Sequence, residues 1–421
     1  MDQNQKLYKD KYDIINKARG LKGKSFKDLN FSLSKHKGTI GDQVESWFGL
    51  EKNNESIADF KAMGIDLELK TTPIKKVRGN KYSAKERLVL GKINFHEILE
   101  EESFSKSHIF EKIKETLIVN YLHDSNNKMA STFLSSWLLN LTEEELKIIE
   151  GDFKLIKNKV ISGNAHILSS SDTTYLEATT KGKGKGELVS QPNSSTKASP
   201  RAFALKTGFM TRRTREFYGQ TIPIARTRDE LLNFVKIEFD KFIGKTANEI
   251  LVDLKRVPQN GKSTHANAIK YMLNSLNLSQ DDFDQLSIIF KTQKKNKAGK
   301  IQESMSFPNM DLNSIKNTDF EQTEVFVALS NGVFLNVFSH DMKYEGSRLL
   351  SFNVDKIETA RSVFDDFKKF IGTDNEFMPK LKLDKVIHVR NKDKNSKVKR
   401  ITIDGKEYPN LCWWINKNEL L

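Results

Sequence analysis

The stretch Gly64-Ile65-Asp66-Leu67-Glu68-Leu69-Lys70 alternates apolar and charged residues. A period of two is the mark of an extended strand, because successive side chains leave opposite faces. Ile65, Leu67 and Leu69 are therefore expected to face a core, with Asp66, Glu68 and Lys70 together on the other side. Asp59 lies shortly upstream, in what reads as a loop. Carboxylates beside a lysine on one strand face can seat a divalent cation next to a charge stabiliser. Phosphodiester hydrolysis needs that set, since Mg²⁺ takes carboxylate oxygens, water and substrate phosphate. An ordinary amphipathic strand with a solvated charged face accounts for the same residues.

Charge narrows the choice of partner. Lys and Arg number 69 against 55 Asp and Glu, a formal net charge of +14 over 421 residues. That surplus favours a polyanion, nucleic acid ahead of an anionic membrane. No apolar run reaches the length of a membrane span, and the polar start Met1-Asp2-Gln3-Asn4-Gln5 does not read as a signal peptide. One cysteine, Cys412, excludes an internal disulfide and a cysteine-rich zinc site. A cytoplasmic protein of two domains is expected at this length.

Along the chain, Thr39 to Gly49 reads as a helix with Ile40, Val44, Trp47 and Phe48 as its apolar stripe. Glu45 lies beside that stripe, able to point toward Asp59 and Glu68. Lys75 to Lys81 forms a basic hairpin tip next to the carboxylates, where phosphates would lie. Strands are expected at Arg87–Leu90 and Glu115–Tyr121, and helices over Ser131–Asn140 and Glu143–Lys154. Lys181, Lys183 and Lys185 alternate with glycines, a pattern that supplies cations and lets the backbone approach a groove, or else a flexible linker. Arg201–Lys206 reads as a strand and Thr211–Arg215 as a basic helix start. The boundary falls near Gly219–Arg228, giving domains 1–222 and 223–421.

The second half echoes the first. Gly23-Lys24-Ser25-Phe26-Lys27-Asp28-Leu29 is similar to Gly244-Lys245-Thr246-Ala247-Asn248-Glu249-Ile250, and Glu68-Leu69-Lys70-Thr71 to Ile289-Phe290-Lys291-Thr292. Lys85-Glu86-Arg87 matches Gln302-Glu303-Ser304. In that register Glu45 becomes Lys270 and Glu68 becomes Ile289, so the second copy lacks both acids. One cutting module and one binding module are the expectation.

These residues resemble a known family. Gly38–Gly49, Asp59-Phe60, Gly64-Ile65 and Glu68-Leu69-Lys70-Thr71-Thr72-Pro73 are similar to the active-site region of the MutH family. That family includes the mismatch-repair nickase and the Sau-type restriction endonucleases that cut at GATC. Lys81–Leu90, Thr180-Lys181-Gly182, Gln191-Pro192, Arg201–Thr211, Glu303–Phe307 and Trp414-Ile415-Asn416 extend the resemblance to the Sau type over most of the chain.

The resemblance implies an α/β fold of the restriction-endonuclease type (PD-(D/E)xK), a mixed sheet flanked by helices, present as two tandem MutH-like domains. It implies a type II restriction endonuclease acting on double-stranded DNA. The N-terminal copy would be catalytic, and the C-terminal copy would bind a second DNA site as effector. A strand-specific repair nickase and a catalytically silent DNA-binding protein are the alternatives. Asp59 and Glu68 correspond to the family's Mg²⁺-binding acids, Glu45 to its assisting helix acid and Lys70 to its lysine. An ammonium cannot accept a proton, so charge stabilisation is the expected role of Lys70, and general base catalysis would require a lowered pKa. Asp66-Leu67 is an insertion relative to the family, which makes Asp66 a rival ligand.

Lys181 matches a lysine that approaches guanine, and Lys183 and Lys185 are expected on phosphates. Lys206, Arg212 and Lys112, the last resembling an active-site-region lysine, complete the cations expected at DNA. Ala204 stands where the nickase branch has a tyrosine that senses adenine methylation, and His108 reads as structural. A cognate methyltransferase in the same system, without a stable complex, and a monomer working as a pseudo-dimer that can pair on DNA are also implied.

Overall fold

The computed structural model describes the chain apart from residues 1–6, 33–38, 52–56, 78–79, 125, 181–187, 221–226, 262, 375–377, 380–385, 392–400, 404 and 421. It divides into two units, Met1–Ala225 and Arg226–Leu421.

In the first unit, helices α1 (Lys11–Arg19) and α2 (Thr39–Phe48) precede strands β1 (Glu68–Lys76), β2 (Tyr82–Ala84) and β3 (Leu88–Ile93). Then come α3 (His108–Lys114), β4 (Thr116–Leu122), β5 (Thr132–Leu138) and α4 (Glu143–Ile161). The unit ends with β6 (Leu176–Thr180), the hairpin β7 (Val189–Gln191) and β8 (Ser194–Ala198), β9 (Arg201–Leu205) and α5 (Thr207–Phe217). Gly49 closes α2 with φ +81°, a left-handed conformation that glycine adopts without steric cost.

One sheet has the order β2-β1-β4-β5, with β1 and β4 parallel. β4 reads Thr-Leu-Ile-Val-Asn, an apolar and β-branched run buried on both faces, as suits a strand inside the sheet. Leu67, Leu69, Leu117, Val119 and Phe133 meet Val44 and Phe48 of α2 in one core. A second sheet, β3-β9-β6, is antiparallel throughout.

The helix expected over Ser131–Asn140 is instead β5. Its apolar residues Phe133, Leu134, Trp137 and Leu138 fall at helical spacing, but a register shift opposite Asn120 and Tyr121 produces that spacing. The bulge puts Phe133 opposite Tyr121 in the core and Trp137 opposite Ile118 on the other face, where its indole donates to the Asn120 Oδ1 at 2.6 Å. Such an irregularity breaks the period-two signal.

The second unit runs through α6 (Arg228–Asp240), α7 (Ala247–Asp253), α8 (Thr264–Ser275), α9 (Gln280–Gln285), β10 (Ile289–Lys294) and β11 (Met305–Asn309). It continues with α10 (Glu324–Asn331), β12 (Val333–Phe338), β13 (Tyr344–Leu350) and α11 (Val354–Phe370). β14 (Ile387–Asn391), the hairpin β15 (Ile401–Ile403) and β16 (Lys406–Tyr408), and β17 (Leu411–Ile415) complete it.

Its strands repeat the first unit's order and sense. β10-β12-β13 pairs parallel then antiparallel, as β1-β4-β5 does, and β11-β17-β14 is antiparallel, as β3-β9-β6 is. The Gly-Lys-Ser/Thr stretches occupy equivalent places. The Gly23 amide donates to the Phe133 carbonyl and Ser25 bridges Thr132, while the Gly244 amide donates to the Tyr344 carbonyl and Thr246 bridges Lys343.

Candidate active site

The site forms where β1 begins. The Glu68 amide donates to the Glu115 carbonyl, and Glu68 stands opposite Thr116 in the parallel ladder, so the start of β1 is fixed against β4. Leu67 and Leu69 turn into the core, and the strand period sends Glu68 and Lys70 to the other face. The Asp59 carboxylate accepts from the Leu69 amide at 2.8 Å, which holds that loop acid against the strand.

Glu68 is fully buried. Its Oε1 accepts from the Lys70 ammonium, and the Lys112 ammonium of α3 lies 3.3 Å from the same oxygen. Its Oε2 is buried and has no hydrogen-bond partner among the described residues. A buried carboxylate oxygen left unpaired carries a desolvation cost that a cation would offset.

The charges in this cluster act on one another. Burial pushes the Asp59 carboxyl up, Glu68 adds to the shift, and Lys70, the Leu69 amide and Lys112 oppose it. Glu45 of α2 is raised by burial and then by Asp59, with Lys70 opposing. Lys70 is raised as well, because burial, which would lower it, is outweighed by Glu68, Asp59 and Glu45. The ammonium form is therefore the stable one, and Lys70 is suited to charge stabilisation rather than proton abstraction. Among the described residues no three acidic, histidine or cysteine side chains converge at metal-ligand spacing.

Of the residues singled out from the sequence, the structure brings Glu45, Asp59, Glu68, Lys70 and Lys112 together. Lys112, expected at DNA, sits instead on the Glu68 carboxylate, delivered by the last turn of α3. Asp66 does not join them. The strand starts at Glu68, so Asp66 precedes the regular alternation, and its carboxylate pairs with Lys61 at an exposed position.

Two further expectations need correction. Lys206 is almost wholly buried, its ammonium donating to the Ser170 and Thr173 carbonyls. Arg212 is also buried, paired with Glu145 and Glu216 and packed on Tyr175 and Phe209. Both cations tie the unit together and present no charge to a ligand. Arg212 was read from a basic helix start and Lys206 from the end of a strand, and neither pattern distinguishes a side chain turned inward. Lys181, Lys183, Lys185 and the tip residues Arg78 and Gly79 lie outside the described residues. His108 pairs with Glu101, a structural contact. Sequence reasoning also passed over Arg87, whose guanidinium is buried against Glu177 at 2.7 Å. No local pattern marks that pair, since its members lie on different strands of the second sheet's neighbourhood.

A family model described as "DNA mismatch repair enzyme MutH" matches residues 48–152, the stretch that carries Asp59, Glu68, Lys70 and Lys112. Over that stretch the chain is similar to the MutH family. It is also 28% identical over 383 residues to the type II restriction enzyme Sau3AI of Staphylococcus aureus, a match spanning 86% of this chain and 76% of that relative. The MutH-family match begins just after Glu45, whereas the similarity to the Staphylococcus aureus enzyme extends into both units.

Proposed function

We propose that this chain is a type II restriction endonuclease-like DNA nuclease that requires Mg²⁺ and cuts double-stranded DNA at a short palindrome, GATC in the family reading. The observation that carries it is the Glu68 carboxylate. One oxygen is held by two ammonium groups and the other is buried without a partner among the described residues, with Asp59 close enough to Glu45 to raise its pKa and Glu68 raising that of Asp59. Glu68 and Asp59 would hold the cation, with Glu45 in support. A bound Mg²⁺ supplies Lewis acidity toward the phosphate and lowers the pKa of water.

The chain's own residues do the rest. Lys70, kept as an ammonium, stabilises charge that develops on the phosphate oxygens and helps to orient the attacking water. Lys112 shares the Glu68 oxygen with Lys70, which sets two positive charges against it. The wall formed by Leu67, Leu69 and the α2 core excludes water from behind the site and fixes β1.

The unit at residues 1–222 is the catalytic MutH-like domain, and that at 223–421 is a second copy that binds another DNA site as effector. Support comes from the matching strand order of the two units and from the loss of acids in the second. Lys270 and Ile289 stand where the first has Glu45 and Glu68. The protein then works as a pseudo-dimer on DNA, with a methyltransferase protecting the host site and the cytoplasm as the place of action. Among the described residues no helix is long and apolar enough to cross a membrane.

The matched family description, that of a mismatch-repair enzyme, favours a second reading as a strand-specific nickase. Digestion of a sequenced supercoiled plasmid with Mg²⁺, followed by end mapping on methylated and unmethylated DNA, separates the two. Linear product with fixed ends supports the endonuclease, and accumulation of open circles supports the nickase. Glu68→Ala and Lys70→Ala are each expected to lower cleavage by on the order of a thousandfold while duplex binding persists. Near wild-type cutting by either variant removes the assignment.

A further inference from the structure

The two antiparallel sheets allow position-by-position comparison of the units. Glu177 pairs with Ala204 in the first, and His388 with Trp414 in the second, each one residue in from the ends of edge strands β6 and β14. By that register Thr179 corresponds to Arg390. In the first unit this face is closed by charge, since Arg87 is buried against Glu177 and its guanidinium donates to the Thr179 hydroxyl at 2.6 Å. The second unit has Ser304 at the place of Arg87, and among the described residues no such pair stands there.

What replaces it is an aromatic platform. Ile387, Val389, Trp413 and Ile415 turn into the unit's core, so His388, Arg390 and Trp414 stand on the opposite face. The Trp414 ring stacks with His388 at 6.2 Å between centroids. The Arg390 guanidinium lies 3.7 Å from the Trp414 ring centroid. Burial, with Arg390 adding, holds His388 down at about 4, so the imidazole stacks as a neutral ring.

Arg390 is itself exposed. Among the described residues no carboxylate pairs with it, whereas Arg87, Arg212, Arg213 and Arg361 each hold one. A cation over an aromatic face is stabilised by the ring quadrupole, which limits where the guanidinium can move. A phosphate contact needs only a point charge, which a mobile lysine supplies. A fixed fork of donors matches the paired acceptors on a guanine edge.

We propose that Arg390, held over the Trp414 ring, is a base-reading contact to duplex DNA in the second unit. This rests on the reading that residues 223–421 bind a second duplex. The chain's surplus of positive charge supports that occupant.

The test uses the full-length Glu68→Ala protein, so that cleavage does not intervene. A labelled duplex carrying the mapped cleavage site and a scrambled duplex of equal composition are titrated in, and the stoichiometry and both affinities are measured. Two site-containing duplexes are expected per chain. Adding Arg390→Ala or Arg390→Lys should lower discrimination between the two duplexes at the second site by roughly tenfold or more, leaving the first site unchanged. Near-ultraviolet circular dichroism of the tryptophans reports whether the fold is kept, and the exposed Arg390→Lys change carries the test if Arg390→Ala disturbs it. Unchanged discrimination in a folded Arg390→Lys protein overturns the proposal. So does an equal loss of affinity for both duplexes, which marks a phosphate contact. If the Glu68→Ala protein binds only one duplex, the second-site reading fails, and the proposal with it.

Discussion

Glu68 shows how one side chain can organise a site. It is fully buried, shares one oxygen between two lysines and leaves the other without a hydrogen-bond partner among the described residues. Its neighbours Asp59 and Glu45 bind protons more readily than ordinary carboxyls, the first cause in each case being burial. The folded chain thus holds protons on these two acids more tightly than the unfolded chain. Their contribution to stability falls as pH rises from the ordinary carboxylate value through the raised one. Activity runs the other way, because a protonated carboxyl binds a cation poorly. Cleavage is expected to fall on acidification with a midpoint above the ordinary carboxylate range, and raising Mg²⁺ should move that midpoint down, since the cation competes with the proton. Rate profiles against pH at two Mg²⁺ concentrations check this, and a midpoint that ignores Mg²⁺ contradicts it. The alternation around Glu68 made the strand and its two faces legible in the sequence. The capture of Asp66 by Lys61 was not, because where a strand begins depends on its hydrogen-bonded partner, here the Glu115 carbonyl.

Among the elements, α3 gives Lys112 its place. Its N-cap, Ser107, is buried, accepts from the Phe110 amide at 3.2 Å and donates to the Phe104 carbonyl at 2.7 Å. At its other end the Lys112 carbonyl accepts from the Thr116 hydroxyl of β4, tying the helix to the strand beside β1. A helix of 7 residues depends heavily on such end contacts. Ser107→Ala is therefore expected to lower stability by about 1 kcal/mol, the usual cost of a lost cap. It should also slow cleavage severalfold as Lys112 loses its hold on Glu68. Denaturant midpoints and single-turnover rates measure both, and a stability loss with no change in rate would separate the cap from the site. Elements with an uninterrupted period were readable from sequence: α2 by its apolar stripe, β4 by its β-branched run. β5 was not, because its bulge shifts apolar residues between faces and imitates a helix. Lys206 and Arg212 were misread for a related reason. A basic residue looks the same in sequence whether it meets solvent or a buried carbonyl or carboxylate.

For the whole molecule, the two units share strand order and sense but differ in chemistry. The first has acids at Glu45 and Glu68, and the second has Lys270 and Ile289 at the places laid on them. The second keeps Lys291, which donates to the Ser306 carbonyl at 3.1 Å and lies over the Phe307 ring. That lysine has a structural partner, so restoring one acid would not by itself restore a site. The first unit has its own core, and every residue assigned to cleavage lies within Met1–Ala225. If the second unit acts as effector, a chain ending at Ala225 should retain Mg²⁺-dependent cutting of short duplexes and lose acceleration by added site-containing DNA. Full-length protein should accelerate when a non-cleavable duplex bearing the site is supplied in trans, and a scrambled duplex should leave its rate unchanged. Cleavage time courses with and without that duplex, on both chains, compare the two directly. Equal stimulation of the truncated chain would place the effector site in the first unit, and absence of stimulation in the full chain would leave the second unit a role in binding alone.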